Sequence, residues 1–190
     1  MKSQQMKVLG GLLLALLQSA QAADVEGMNG MLNISGTMHE TPCNLEMTSL
    51  HQTIDLGAVS ASQLQRPGDQ ARPVAFEVRF TDCHRTAGSI RSERTGNLAW
   101  SAFQPVLSVT FLAPADADDP RLVKVQGVSG MGLHLTDALG RDVQLGFRGE
   151  PLFLPLGSNT QVWTVRPTRT SASLTSGAFR AVVDFRLNYE

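Results

Sequence analysis

From Gly177 the chain reads Gly-Ala-Phe-Arg-Ala-Val-Val-Asp-Phe-Arg-Leu-Asn-Tyr-Glu. Its odd positions are apolar: Phe179, Ala181, Val183, Phe185, Leu187 and Tyr189. The even positions are polar or small, apart from Val182. Successive strand side chains point to opposite faces, so this spacing predicts a strand over 178–189 with one continuous apolar ridge. The sequence stops at Glu190, which leaves the ridge without a hairpin partner downstream. A long bare strand edge invites pairing and has to be covered. The expectation is that a segment from elsewhere lies beside it.

The other end of the chain offers a candidate. Lys2 and Lys7 flank the start of a short apolar run, Val8 to Leu17, and Ala20-Gln21-Ala22 fits small-x-small cleavage. Residues 1–22 therefore read as an export signal, with a mature start at Ala23. The apolar run is about half of the roughly 20 residues that a membrane-spanning helix needs. The segment that follows also alternates. Met28, Gly30, Leu32, Ile34, Gly36 and Met38 share one parity, with Met31 out of pattern. This predicts a strand over 30–38 with glycines on its apolar face, where another backbone approaches closely. Taken alone, an ordinary first strand behind a loose tail fits these residues equally well.

Residues 23–190 are a normal length for one domain. They carry 14 basic and 17 acidic residues, a balance of −3, which argues against nucleic acid or an anionic membrane as the main partner. The two cysteines, Cys43 and Cys83, form an even count in an exported chain and read as one disulfide. Closing a loop of about 40 residues stabilises by roughly 4 kcal/mol in the chain-entropy model. A metal pair or a redox pair has no Cys-x-x-Cys spacing to support it.

Apolar alternations recur at 52–57, 74–81, 106–112, 121–126, 131–136, 142–147 and 161–166, separated by Gly, Pro, Asp and Ser. No helical period follows the signal. Many short strands at near-regular spacing predict an all-β sandwich or barrel. The polar stretch 84–104 reads as a long loop or an interrupted strand. The segment 74–81 is half-buried by pattern and runs into Cys83, so the bridge should tie neighbouring strands at one end of the sandwich.

Catalytic patterns are missing. His39, His51, His84 and His134 have no i, i+4 pair, and His134 lies between Leu133 and Leu135 on the solvent face of a strand. Ser129 lacks the glycine and the strand-to-helix turn of a nucleophile elbow. Asp116, Asp118 and Asp119 lack calcium-loop spacing. No enzymatic activity, metal or cofactor is expected.

Taken in order, these features resemble a chaperone–usher pilin of the type 1 and P pilus family. The resemblance rests on the export signal, Leu32-Asn-Ile-Ser-Gly36, Cys43 seven residues later, Ile54-Asp-Leu-Gly57, Phe76-Glu-Val-Arg-Phe-Thr-Asp-Cys83, Gly130-Met-Gly-Leu-His-Leu-Thr-Asp137 and the close from Gly177 to the penultimate Tyr189. It implies an incomplete immunoglobulin-like β-sandwich that lacks its last strand. It also implies three segments: a cleaved signal over 1–22, a donor extension over 23–38 and a pilin domain over 39–190. The donor positions would be Leu32, Ile34, Gly36 and Met38. Gly177, Phe179, Ala181, Val183, Phe185, Leu187, Tyr189 and Glu190 would border the acceptor groove and meet the chaperone. The implied partners are a periplasmic chaperone, an outer-membrane usher and other pilin subunits, in a cell-surface fimbria of a Gram-negative bacterium that supports adhesion.

The chain has no room for the extra lectin domain of a tip adhesin, so it reads as a shaft, adaptor or terminator subunit. Phe185-Arg-Leu-Asn-Tyr-Glu190, Cys43-Asn-Leu-Glu-Met47 and Gly96-Asn-Leu98 resemble the minor terminator of P pili, whose groove is blocked. The rival reading is a self-contained exported β-sandwich that binds a ligand. If the donor assignment holds, a polar residue in place of Leu32 or Ile34 stops the subunit from joining the next one in the fibre while its chaperone still binds it. Co-purification with the chaperone and electron microscopy of fibres check this. Loss of chaperone binding alone would contradict the assignment.

Overall fold

The computed structural model describes residues 31–36 and 41–190. Residues up to Met38 and those from His39 onward fall into two separate units. In the first, residues 31–36 carry no regular secondary structure, and Leu32 and Ile34 are exposed. The rest of the strand expected over 30–38 lies outside the described residues.

Among the described residues, the second unit is built from ten strands. In chain order they are β1 (Asn44–Leu45), β2 (Val74–Cys83), β3 (Gly88–Arg91), β4 (Leu98–Ser101), β5 (Val106–Leu112), β6 (Val123–Lys124), β7 (Met131–Asp137), β8 (Leu152–Phe153), β9 (Gly157–Arg169) and β10 (Asp184–Tyr189). One sheet has the order β1-β2-β9-β7-β6 and the other β10-β5-β8, while β3 and β4 form a separate hairpin. Every pairing is antiparallel. The expected all-β sandwich is therefore the fold.

The core forms where the two sheets face each other. Val78 and Phe80 of β2, Leu133 and Leu135 of β7, and Trp163 of β9 are buried against Leu107, Val109 and Phe111 of β5. Phe111 meets both Phe76 and Trp163 edge-on, at ring distances of 6.1 and 5.4 Å, an arrangement aromatic quadrupoles favour. Along β2 the alternation read from the sequence holds, with Glu77 and Arg79 paired to each other on the outer face. A register shift between Phe80 and Cys83 places Asp82 at φ 52°. There the Cys43–Cys83 disulfide ties the start of β1 to the end of β2, as expected.

Strand β5 is buried on both faces from Val106 to Phe111 because the β3–β4 hairpin lies over its outer side. The stretch 84–104 is thus neither a long loop nor an interrupted strand. Ile90 is buried, and a Cβ on Gly88 would stand 2.6 Å from the Val106 nitrogen, so only glycine permits this contact. Each hairpin strand is four residues long and shows only two inward positions, too few for a readable period.

Other departures share a physical cause. A one-turn helix, α1 (Met47–Leu50), is present where no helix was expected; it buries Ser49, whose hydroxyl accepts from the Arg79 N–H at 2.9 Å. The expected strands 52–57 and 142–147 are not strands, 121–126 shortens to β6, and 178–189 is a strand only over β10. Ile54, Leu56, Val143 and Leu145 still pack against the core. Their side chains follow the strand period, but their backbones lack a continuous ladder partner among the described residues.

Replacing Phe111 with alanine is expected to cost about 3–5 kcal/mol of stability. The same change at the exposed Val182 should stay within about 0.5 kcal/mol. Denaturant midpoints of the two variants check the assignment of core and surface.

Candidate functional site

A groove of about 1130 Å³ opens between the two sheets. Its floor is core: Phe76, Val78, Phe111, Leu133, Leu135 and Val165. One rim is the C-terminal segment, which contributes Gly177, Phe179, Ala181, Val183, Phe185 and Leu187. The opposite rim descends from α1 through Leu50, Ile54, Leu56 and Val59. The apolar ridge expected at the end of the chain is thus the wall of a groove. From Phe179 to Leu187 every odd position is half-buried and every even position exposed. These apolar side chains touch the core on one side and open space on the other.

Each rim is held from outside the groove. Over β10 the C-terminal rim pairs with β5, from Asp184 opposite Leu112 to Tyr189 opposite Leu107. Over 178–183 it is held by one bridge. The Gln126 N–H donates to the Arg180 carbonyl at 2.8 Å, and the Arg180 N–H returns the bond at 3.0 Å. Gly127, at φ +100°, lets the chain pass: a Cβ there would stand 2.2 Å from the Ala178 oxygen. The approach to the rim is pinned by the Arg169 guanidinium, which donates to the carbonyls of Gly130, Thr170 and Ala172. On the other rim the Gln52 side-chain amide donates to the Glu77 carbonyl at 2.8 Å. Asp55 accepts from the Gly57 N–H at 2.8 Å. On its groove side neither rim has a strand partner among the described residues.

The last two residues are placed differently from the rest of the ridge. Tyr189 is half-buried but does not line the groove, and its hydroxyl has no hydrogen-bond partner. Burial pushes its phenol up to about 12. Glu190 faces the hairpin: its main-chain oxygen accepts from the Ser89 N–H at 2.8 Å, and its side chain pairs with Arg148. His134 is half-buried rather than solvent-facing; it is 3.0 Å from Asp142 and hydrogen-bonds Gln70. No set of three or more metal-ligating side chains converges among the described residues. Of the donor positions, Leu32, Ile34 and Gly36 are described and Met38 is not. The sequence did not mark the floor or α1 as parts of a site. Floor residues look like ordinary core until the strand above them is known to be missing.

A family model for fimbrial proteins matches residues 32–190. Fimbria A protein of Serratia marcescens is 27% identical over 187 residues, covering 97% of this chain and 98% of its own. The P pilus rod subunit PapA, 26% identical, superposes with a TM-score of 0.64 over 79% of this chain and 100% of its own. A subunit from a chaperone–usher pilus, whose structure addresses rod uncoiling, gives the same identity and TM-score over 89% of this chain and 100% of its own.

Tyr189 is the only tyrosine in the chain, so absorbance near 295 nm reports it alone. Its midpoint in the folded domain is expected near 12, against about 10 once unfolded. Burial keeps the proton on, so the stabilisation is complete below the unfolded value and lost as pH rises through the folded one. A single midpoint at the unfolded value in native protein would contradict the burial.

Proposed function

This chain belongs to the fimbrial-protein family and is a structural subunit of a cell-surface chaperone–usher fimbria, and we propose that its groove is completed by a β-strand from another polypeptide. The observation that carries this reading is the pair of rims. The first follows a strand's side-chain period from Phe179 to Leu187 and the second at Ile54 and Leu56, both border an apolar floor, and neither has a partner facing the groove among the described residues. A strand laid between them would hydrogen-bond to free backbone and press alternate side chains onto the floor, which is the logic of strand addition. Association with other pilin subunits follows from membership of the family.

Residues 23–38 are the donor in this reading. Leu32, Ile34, Gly36 and Met38 would point into the groove of a neighbour, and Asn33, Ser35 and Thr37 away from it. The absent side chain at Gly36 allows close approach to the acceptor backbone. The rim from Gly177 to Leu187 spans ten residue steps, roughly 33 Å when extended, and a donor of similar length covers it. In the periplasm, after removal of residues 1–22, a chaperone strand fills the groove first, and the usher then exchanges it for the next subunit's extension.

Energetics make the partner a folding requirement. Full burial of one Val, Leu, Ile or Phe side chain contributes about 1.5–3 kcal/mol. Four or five such residues left half-buried deprive the lone subunit of roughly 3–8 kcal/mol, a large share of a domain's stability. No strand of the described residues occupies the groove, which favours a subunit that receives a strand as well as giving one over a terminator with a blocked groove. An open core also speaks against a self-contained sandwich.

A peptide of residues 25–38 is expected to displace the chaperone from the purified chaperone–subunit complex. Val183→Asp, on the groove wall, should abolish exchange; Val182→Asp, on the exposed face, should leave it intact. Native gels or mass spectrometry read the outcome. Refusal of the peptide by the unmodified complex would instead mark the chain as a terminator.

A further inference from the structure

β10 is the edge of its sheet, with β5 on one side and the groove on the other. Its ladder with β5 ends at Tyr189 opposite Leu107. Pairing frays first where a ladder stops, and this end is also one end of the groove wall. Two contacts take over beyond it, both at Glu190. Its main-chain oxygen accepts from the Ser89 N–H, and Gly88 makes room for this, since a Cβ there would stand 2.9 Å from the same oxygen. Its side-chain carboxylate pairs with the Arg148 guanidinium.

Arg148 reaches Glu190 from the far side of β5. Thr110 of β5 is bridged by Arg148 on one edge and paired with Arg186 of β10 on the other. The segment that carries Arg148 is fastened to β5 on both sides of it. The Gly146 N–H donates to the Phe111 carbonyl at 2.8 Å, and the Gly149 N–H to the Val109 carbonyl at 2.9 Å. The Arg148 N–H donates to the Glu93 carboxylate at 3.2 Å, and that carboxylate also lies 3.9 Å from the guanidinium. Neighbouring strands lie about 4.8 Å apart, so a strap across β5 spans two such gaps, roughly 10 Å. An arginine meeting a glutamate covers that distance, and a shorter neutral side chain does not. Arg148, Glu93 and Glu190 are all partly exposed, and ion pairs of that kind add little to global stability. What the strap fixes is position.

We propose that Arg148 is a positioning residue for strand acceptance: by tying Glu190 to the 146–149 segment across β5, it holds β10 in place for the incoming strand. The assignment rests on the strand-completion reading above. Arg148 does not line the groove and acts only through the wall. At its other end the wall is held by the Gln126–Arg180 bridge, so Glu190 is the second of two fixed points. An incoming strand bonds to one side of β10 only, and each bond needs the β10 backbone to stand still. A wall ordered in advance spares the strand that cost. Loss of the strap should therefore weaken the hold on a donor strand rather than unfold the domain.

The subunit complemented by a labelled 25–38 peptide, chased with unlabelled peptide in mild denaturant, provides the test. Arg148→Gln is expected to speed peptide release severalfold, and Arg148→Lys, which keeps length and charge, to retain most of the hold. Hydrogen exchange at the Ser89 amide should quicken in Arg148→Gln, because that bond depends on where Glu190 stands. Glu190→Ala should match Arg148→Gln, and the double variant should release no faster than either, as expected for two halves of one contact. Arg94→Gln is the control. It breaks the neighbouring 3.0 Å bond to Glu150 on the same hairpin turn without touching Glu190, and release should stay at the wild-type rate. Unchanged release from Arg148→Gln overturns the assignment. So does equal quickening by Arg94→Gln, which would make any weakening of the hairpin sufficient, or additive effects in the double variant. A wild-type subunit that captures no peptide overturns strand acceptance and its positioning residue together.

Discussion

A β-sandwich is stable only when both sheets are closed, and here the closing strand is missing from the gap between α1 and the C-terminal rim. Two kinds of group are left incomplete by one omission. Backbone N–H and C=O groups along the rims face the groove without partners among the described residues, and apolar side chains from Phe179 to Leu187 are covered on one side only. Water can satisfy the first at little cost, but it cannot satisfy the second. The hydrophobic term therefore sets the demand for a partner, and the backbone term sets its form. Only an extended segment with apolar residues two apart meets both.

The rest of the molecule keeps the gap from collapsing. An apolar groove of this size would shrink if its walls could move together, and both walls are anchored from behind. Ten residues of β2 and the long β9 hold the floor, the disulfide fixes the entry to β1, and β5 holds the C-terminal rim in register. Gly127 and Arg169 are local devices to the same end. The glycine lets the rim pass within a distance no side chain tolerates, and the guanidinium gathers three carbonyls in the loop that leads to it. The hairpin over β5 adds a third layer, so the strand that carries the rim is buried on both faces. Rigidity around an unfilled site lowers the ordering cost that an incoming strand would otherwise meet.

What was legible in the sequence divides along the same line. Strands with a partner inside the chain, such as 106–112 and 131–136, appear close to where their alternation placed them, because period and ladder agree. At 52–57 and 178–183 the alternation is real and the ladder is missing. Side-chain period reports which face is buried, whereas strand geometry needs a neighbouring backbone. Their disagreement is the mark of a vacant strand position, visible only when sequence and structure are set side by side. The β3–β4 hairpin and α1 were illegible for another reason: four-residue elements show one or two inward positions, too few to define a period. The floor of the groove was legible as core but not as site, since a residue's burial pattern does not say whether the layer above it belongs to the same chain.

In the proposed reading, this division bears on how one groove would serve two partners in turn. Whatever fills it must satisfy the same free backbone groups, so main-chain bonds cannot distinguish a chaperone strand from a subunit strand. Discrimination falls to the side chains and how well they meet the floor between Phe76 and Val165. A first strand that left part of this floor uncovered would hold the subunit soluble and still be displaced by one that covered more of it. Under the proposed donor assignment, the alternation at Leu32, Ile34 and Met38, broken by Gly36, would suit the displacing strand. Three apolar anchors would supply burial, and the glycine would bring the two backbones close where they need to seal.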